Sequence, residues 1–198
     1  MSPKPDVSEE RKQQILDAAI NVFSRDGFHE ARMDDIAQEA EMSKGALYWY
    51  FNSKDELISN ILGVFFDREF ERVKAWDIDN RSARSLLESY SVMLIEDLVK
   101  IKPFFAIVYE FLAMVTRNKH VKKVIQKSLN QYIELTVPLF QKGIDEGEFK
   151  EMDANEAALA FGALIEGSLL LWAYDMERFD FAELITRNVK IFLDGIEK

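Results

Sequence analysis

The run Asp35-Ile36-Ala37-Gln38-Glu39-Ala40-Glu41-Met42-Ser43-Lys44-Gly45-Ala46-Leu47-Tyr48-Trp49-Tyr50-Phe51 decides how the chain is read. Ile36, Ala37 and Ala40 form the inner face of a short helix. Met42 fills a turn. Ser43 is placed to cap a second short helix, whose inward residues are Leu47 and Phe51. Two short helices joined by a tight turn leave one face of the second free to enter a groove. That free face is Lys44, Gly45, Ala46, Tyr48 and Trp49. It carries one cation and no acid, with small residues near its N-terminus that allow close approach to base edges. The helix N-terminus and Lys44 can both meet phosphate, and Arg32, just upstream, is a further candidate for phosphate.

Outward from this run the spacing stays helical. Ile15, Ala18, Ala19, Val22 and Phe23 follow i, i+3, i+4, i+7, i+8. Ser8 is placed to cap that first helix and Gly27 to end it. Ser53-Lys54-Asp55-Glu56 has the capping-box pattern and opens a helix to about Trp76. Asp79 or Ser82 caps the next. Pro103 suits the first turn of another. Residues 116–120 read as a break before a long helix to the Gly143–Gly147 region. Asp153-x-x-Glu156 and Asp180-x-x-Glu183 open the last two. No strand alternation is visible. The expected fold is all-α, with about nine helices in two domains: a helix-turn-helix domain at 1–52 and a helical effector-binding and dimerisation domain at 53–198.

The motifs Gly27-Phe28, Asp35-Ile36-Ala37, Ser43 to Phe51 and Ser53-Lys54-Asp55-Glu56-Leu57 together resemble the DNA-binding domain of the TetR/AcrR family of ligand-responsive transcriptional regulators, over about residues 10–60. The resemblance implies that Tyr48, Tyr50 and Lys54 touch the DNA backbone. It implies that Lys44, Gly45, Ala46 and Trp49 read bases, with Arg32 and Ser43 completing the DNA-binding set. Two departures stand out. The family's turn usually starts with Gly, where this chain has Glu41. Its second helix usually opens with Thr or Ser, where this chain has Ala31-Arg32-Met33. Losing that hydroxyl cap weakens the helix start by about 1 kcal/mol.

Composition narrows the function. Net charge is −10, and the first 60 residues hold seven Lys or Arg against twelve Asp or Glu, so DNA binding must rest on where the cations sit. With no Cys and two His, disulfides, thiol nucleophiles and cysteine zinc sites are excluded. No phosphate-loop or nucleophile-elbow pattern occurs, so neither an enzyme nor a cofactor is expected. The competing non-enzymatic reading is a helical interaction module without DNA binding, which Glu41 and the acidic first domain favour. Residues 157–174 are apolar enough to raise a membrane span, but Glu166 interrupts them and no basic cluster flanks them. A buried helix in a cytoplasmic protein, with no membrane partner, is expected.

The larger domain is dense in aromatics and Met. Such residues build core, and they also line adaptable pockets for bulky apolar ligands. Leu62, Phe65, Phe66, Tyr90, Met93, Phe105, Tyr109, Met114 and Trp172 are the expected ligand-binding set, with Glu110 and Glu166 as candidate counter-charges. The helix over 157–171 is apolar nearly all round and so must be covered on more than one side. Together with the stripe Phe181, Leu184, Ile185, Val189 and Phe192 it falls where the TetR-like family forms its dimer. Phe161, Ala163, Ser168, Leu184, Val189 and Phe192 are the expected interface. The function these readings define is a ligand-responsive repressor that binds double-stranded operator DNA as a homodimer and is released by a small, mainly apolar effector.

Overall fold

The computed structural model describes residues 7–100, 109 and 112–198. Eight helices are described: α1 (Val7–Glu30), α2 (Met33–Glu39), α3 (Lys44–Tyr50), α4 (Lys54–Lys74), α5 (Ala83–Lys100), α6 (Lys119–Asp145), α7 (Ala154–Tyr174) and α8 (Phe181–Ile196). The only β pairing among the described residues is an isolated antiparallel bridge between Phe149 and Glu197. The helix expected to open at Pro103 falls outside the described residues. The fold is all-α, and its chain divides into two compact units. One comprises residues 1–66 and 103–127, the other residues 67–102 and 128–198.

The first unit is built on one apolar core. Ile15, Ala18, Ala19, Val22 and Phe23 of α1 pack with Ile36, Ala37 and Ala40, with Leu47 and Phe51, and with Leu57, Ile58 and Leu62 of α4. Val121, near the start of α6, is buried in the same core. Gly27 breaks α1 with φ 77° and ψ 163°, a backbone that an L side chain rarely adopts. One further turn follows, in which Ala31 N–H donates to the Gly27 carbonyl at 3.2 Å. α1 is described from Val7, and the expected cap Ser8 lies within it.

The turn between α2 and α3 is a Schellman motif. Met42 N–H donates to the Ala37 carbonyl at 2.9 Å and Glu41 N–H to the Gln38 carbonyl at 3.0 Å. The residue this motif places in the left-handed region is Glu41, at φ 52°. α2 opens without a hydroxyl cap, as Arg32 implies, but Asp35 Oδ2 accepts from the Arg32 N–H at 3.2 Å. Half of the expected box at α4 forms: Ser53 Oγ accepts from Glu56 N–H at 3.2 Å, while the Glu56 carboxylate turns to Asn52 N–H at 2.8 Å. Asn118 opens α6, its Oδ1 accepting from the N–H groups of His120 and Val121 and its Nδ2 donating to Asp55.

In the second unit Ser82, rather than Asp79, caps α5 by accepting from Ser85 N–H at 3.2 Å. Glu148 completes that end, its carboxylate accepting from Ala83 N–H at 2.9 Å and Arg84 N–H at 3.2 Å. Arg84 in turn pairs with Asp194 and Glu197 at 2.8 Å each, fastening the start of α5 to the end of α8. Asp153 and Asp180 cap α7 and α8 as expected. Phe140, Phe149 and Phe161 are fully buried; the rings of Phe149 and Phe161 meet that of Phe140, and the Phe192 ring meets those of Phe140 and Phe161. α7 and α8 are joined by Trp172 against Phe181 (5.1 Å between ring centroids) and by Asn188 Nδ2 donating to Ser168 Oγ at 2.8 Å.

These contacts correct the expected dimer residues. Phe161, Ser168 and Val189 are buried within the chain itself and have no surface to offer a second copy. Phe192 is half-buried and stacks on Phe140 and Phe161, and Leu184 is half-buried. Ala163 alone of the six is exposed, on an outer strip of α7 with Leu159, Gly167, Leu170, Leu171 and Tyr174. α7 is long and apolar enough to cross a membrane by length and composition. Its inner face, from Ala154 through Ile165 to Trp172, is instead buried in the second unit.

Candidate functional site

α3 is seated by its inner side. Leu47 is fully buried, Phe51 nearly so, and Ser43 Oγ caps the helix by accepting from Ala46 N–H at 3.2 Å. The 3.6-residue period then turns Lys44, Gly45, Tyr48 and Trp49 outward. Trp49 is 75 % exposed and Tyr48 40 % exposed, so the Tyr48 ring is not packed away. The Trp49 indole meets the half-buried Tyr50 edge-on, with centroids 4.6 Å apart. A Cβ built on Gly45 would meet nothing within 4 Å. The chain's own packing therefore does not demand glycine there, whereas close approach of an outside surface would.

The cations around α3 are less free than their sequence positions imply. Lys44 Nζ sits 2.7 Å from Asp34 at the start of α2, and that pairing raises its pKa. Lys54 Nζ donates to the carbonyls of Phe28, at 2.5 Å, and His29, at 2.9 Å, and lies over the Phe28 ring. Two of its three donors thus fasten the end of α1 to the start of α4. Arg32 and Glu41 are both exposed. The Asp34 contact was missed in the sequence. Its signal was the Asp34-Asp35 pair in the first turn of a helix lacking a hydroxyl cap, where acids favour the helix dipole.

The expected ligand residues divide between the units. Leu62 is buried in the first-unit core, and Phe66 and Met114 pack against it. Tyr90, Met93 and Trp172 are buried in the second unit. Tyr109 is half-buried. Phe105, Glu110 and the side chain of Phe65 lie outside the described residues. Glu166 is exposed on the outer strip of α7, so it is no buried counter-charge.

Among the described residues the buried acids are Glu69 on α4 and Asp97 on α5, each 5 % exposed. Arg72 Nη1 donates to Glu69 Oε1 at 3.2 Å and also to Asp97 Oδ2. Glu69 Oε2 is buried and receives no hydrogen bond, and the protonated carboxyl has Asp97 as its hydrogen-bond partner. Burial first, then hydrogen bonding and repulsion from Asp97, push the Glu69 carboxyl up to about 8, and Arg72 offsets this only in part. Tyr90 stands close enough for Glu69 to raise its hydroxyl, which burial already raises. The Tyr132 ring lies 6.2 Å from that of Tyr90, and its hydroxyl, pushed up to about 12 by burial, donates to the Ala158 carbonyl. The sequence did carry a signal. Glu69 falls at the spacing of Leu62 and Val73, and Asp97 at that of Leu86, Tyr90 and Met93.

An all-helical chain that presents a capped helix by its outer face, on a small unit continuous with a larger helical one, has the layout of a helix-turn-helix regulator. Residues 15–61 match the model of bacterial regulatory proteins of the tetR family, and residues 94–196 match that of the BetI-type transcriptional repressor C-terminal domain. The chain belongs to the TetR family of transcriptional regulators. It is 29 % identical to the HTH-type transcriptional regulator YfiR of Bacillus subtilis, over 99 % of this chain and 97 % of that protein. The transcriptional regulator FadR of Bacillus subtilis, solved in complex with stearoyl-CoA, shares the fold with a TM-score of 0.75 and 23 % identity, covering 93 % of this chain and 99 % of that one. A regulator from Saccharomonospora viridis, solved in complex with choline, has a TM-score of 0.80 and 21 % identity, covering 96 % and 98 %.

Proposed function

We propose that this chain is a cytoplasmic repressor that binds operator DNA as a homodimer and releases it when a small, mainly apolar effector binds the helical unit. The observation that carries the reading is the outer face of α3. Tyr48 and Trp49 stand exposed on a helix whose other side is fully buried, beside a glycine the chain itself does not need. Large aromatic rings left open to water in a well-packed unit suit a partner surface. The capped N-terminus of α3 and the exposed Arg32 suit phosphate, and Trp49 with Gly45 suits base edges. Lys44 belongs to the same face, and Asp34 competes with phosphate for it.

The second copy is expected on the outer strip of α7, through Leu159, Ala163, Leu170 and Leu171. The relatives' ligands, an acyl-CoA in one and choline in another, support an effector in the helical unit without fixing its chemistry. α4 and α6 each contribute residues to both units, so a shift in either helix is carried along continuous backbone. The effector would favour a form whose recognition helices are set wrongly for successive major grooves. A coupling of about 1–3 kcal/mol weakens operator affinity roughly 5- to 150-fold.

The test is selection of a preferred duplex from a random pool, followed by gel-shift with variants. Trp49→Ala should change which bases are preferred. Asp34→Asn should strengthen binding to all duplexes alike, because it frees Lys44. No enriched sequence from the pool would leave the chain a helical interaction module.

A further inference from the structure

We propose that Lys54 is a positioning residue that sets the seat of α3 from inside the first unit and makes no phosphate contact, an inference that rests on the DNA-binding reading above. The family resemblance implies a different role, a touch on the DNA backbone. The surroundings of the ammonium argue against that role. Lys54 Nζ donates to the Phe28 carbonyl at 2.5 Å and to the His29 carbonyl at 2.9 Å, and it stands 4.9 Å from the centre of the Phe28 ring. Carbonyls in the last turn of a helix have no partner along the helix, and a lysine side chain is one of the groups that satisfy them. The Phe28 ring is itself held, 6 % exposed and 5.5 Å from the Phe23 ring, so the face that Lys54 covers is fixed. With two N–H groups committed, the direction of the third is set by the other two. Turning the ammonium to a phosphate would give up both carbonyls and the ring face at once.

What this hook closes is the recognition motif itself. Phe28 and Lys54 are 26 residues apart, and all of α2 and α3 lies between them. The chain enters that segment beyond the break at Gly27, through the single turn in which Ala31 N–H donates to the Gly27 carbonyl. It leaves through Phe51, Asn52 and Ser53 into α4. A segment entered through a helix break opens at little cost unless a side chain ties it down. Lys54 joins the two ends of the segment and so acts as a non-covalent loop closure around the helix that faces DNA. The next residue extends the connection. Asp55 accepts from Asn118 Nδ2 at 2.8 Å, and Asn118 opens α6. The first turn of α4 is therefore fastened to α6 through Asp55 and to the end of α1 through Lys54. A displacement of that turn is passed by Lys54 to the loop that carries α3.

The experiment compares the full chain with Lys54→Met, which keeps the side-chain stem and removes the ammonium. Both are titrated, over a series of salt concentrations, with the duplex enriched from the random pool and with a scrambled duplex of equal length. Losing a phosphate contact would weaken both duplexes alike and flatten the plot of log affinity against log salt by about one unit per contact. Losing the hook should weaken the enriched duplex about tenfold, and leave the salt slope and the scrambled duplex as they were. A flatter slope, equal weakening of both duplexes, or a variant that binds the enriched duplex as the wild type does would each overturn the proposal. The wild type gives a second measurement that does not depend on the variant folding. In the DNA-free chain, acetic anhydride should modify Lys54 at least about tenfold more slowly than Lys190, whose side chain is 67 % exposed, as read by mass spectrometry. Equal rates would show the hook to be open and overturn the proposal as well. The repressor reading fails separately, if the wild type enriches no duplex.

Discussion

Glu41 shows how one residue can work against the motif it completes. The Schellman turn after α2 needs its C′ residue at positive φ, and Glu41 is held there at 52°. A left-handed backbone costs an L residue other than Gly about 1–2 kcal/mol. Glycine removes that strain but adds roughly 0.4–1 kcal/mol of unfolded-state entropy. Glu41→Gly should therefore stabilise the chain by about 0.5–1 kcal/mol, read as a higher urea midpoint at unchanged slope. An unchanged or lower midpoint would show that the Glu41 side chain has a stabilising role of its own. Glu69 supplies a second residue-scale prediction. Its carboxyl lies at about 8 in the folded chain against an ordinary 4.5, so the folded state holds more protons between these values. Its contribution is then whole below the unfolded value and is lost as pH rises through the folded one. Wild-type stability should fall from pH 5 to pH 8 relative to Glu69→Gln, which cannot titrate. Parallel urea midpoints across that range would show Glu69 to be ionised throughout. Both residues were visible as departures from a pattern. Glu41 stands where the resembling family has Gly, and Glu69 and Asp97 interrupt apolar stripes. What the stripes could not show is which acid is buried: Glu166 interrupts one too, and it faces water.

At the scale of the element, the starts were legible and the faces only partly so. Ser43, Asp153 and Asp180 all cap as their spacing implies, because capping is decided by a few adjacent residues. The choice between Asp79 and Ser82 was open, and it is decided by Glu148, a residue distant in sequence that completes the end Ser82 begins. α7 lies at the other extreme. A helix apolar nearly all round carries no contrast from which to read its inner side, so Phe161 and Ser168 were assigned outward and lie inward. α6 contains a feature that helical periodicity did not mark, Gly143 against Phe149. A Cβ there would stand 2.3 Å from the Phe149 ring and 2.9 Å from the Ala83 Cβ. Phe149 is fully buried and stacks on Phe140, so the ring has little room to retreat. Gly143→Ala should destabilise the second unit by about 1–3 kcal/mol through overpacking, despite the better helix propensity of Ala. Thermal unfolding measures this, and a Tm equal to or above the wild type would mean that α6 and the segment after it can separate at no cost.

At the scale of the whole molecule, an acidic chain that binds DNA has to concentrate its few useful cations. With a net charge of −10, it has no diffuse attraction to phosphate to draw on. One chain offers Arg32, a Lys44 shared with Asp34, and the capped N-terminus of α3, and a single copy of that set is a weak grip. A twofold pair of such faces doubles the contacts and adds a spacing requirement of about one helical turn between half-sites. The outer strip of α7 is suited to form the pair. Leu159, Leu170 and Leu171 are exposed on it, with Ala163 and Gly167 small enough for close helix approach. Leu170→Glu and Ala163→Arg each place a charge on that strip without entering the protomer core, so neither should lower the helix content. Sedimentation should find the wild type at twice the 23.0 kDa of the chain, and both variants at the single mass, at micromolar concentration. Operator binding should fall with the dimer, while the weak affinity for an isolated half-site stays as it was. A wild type that sediments as a single chain, or a dimer indifferent to both substitutions, would move the interface off α7. The two-face explanation of DNA binding would then need a different pair of surfaces.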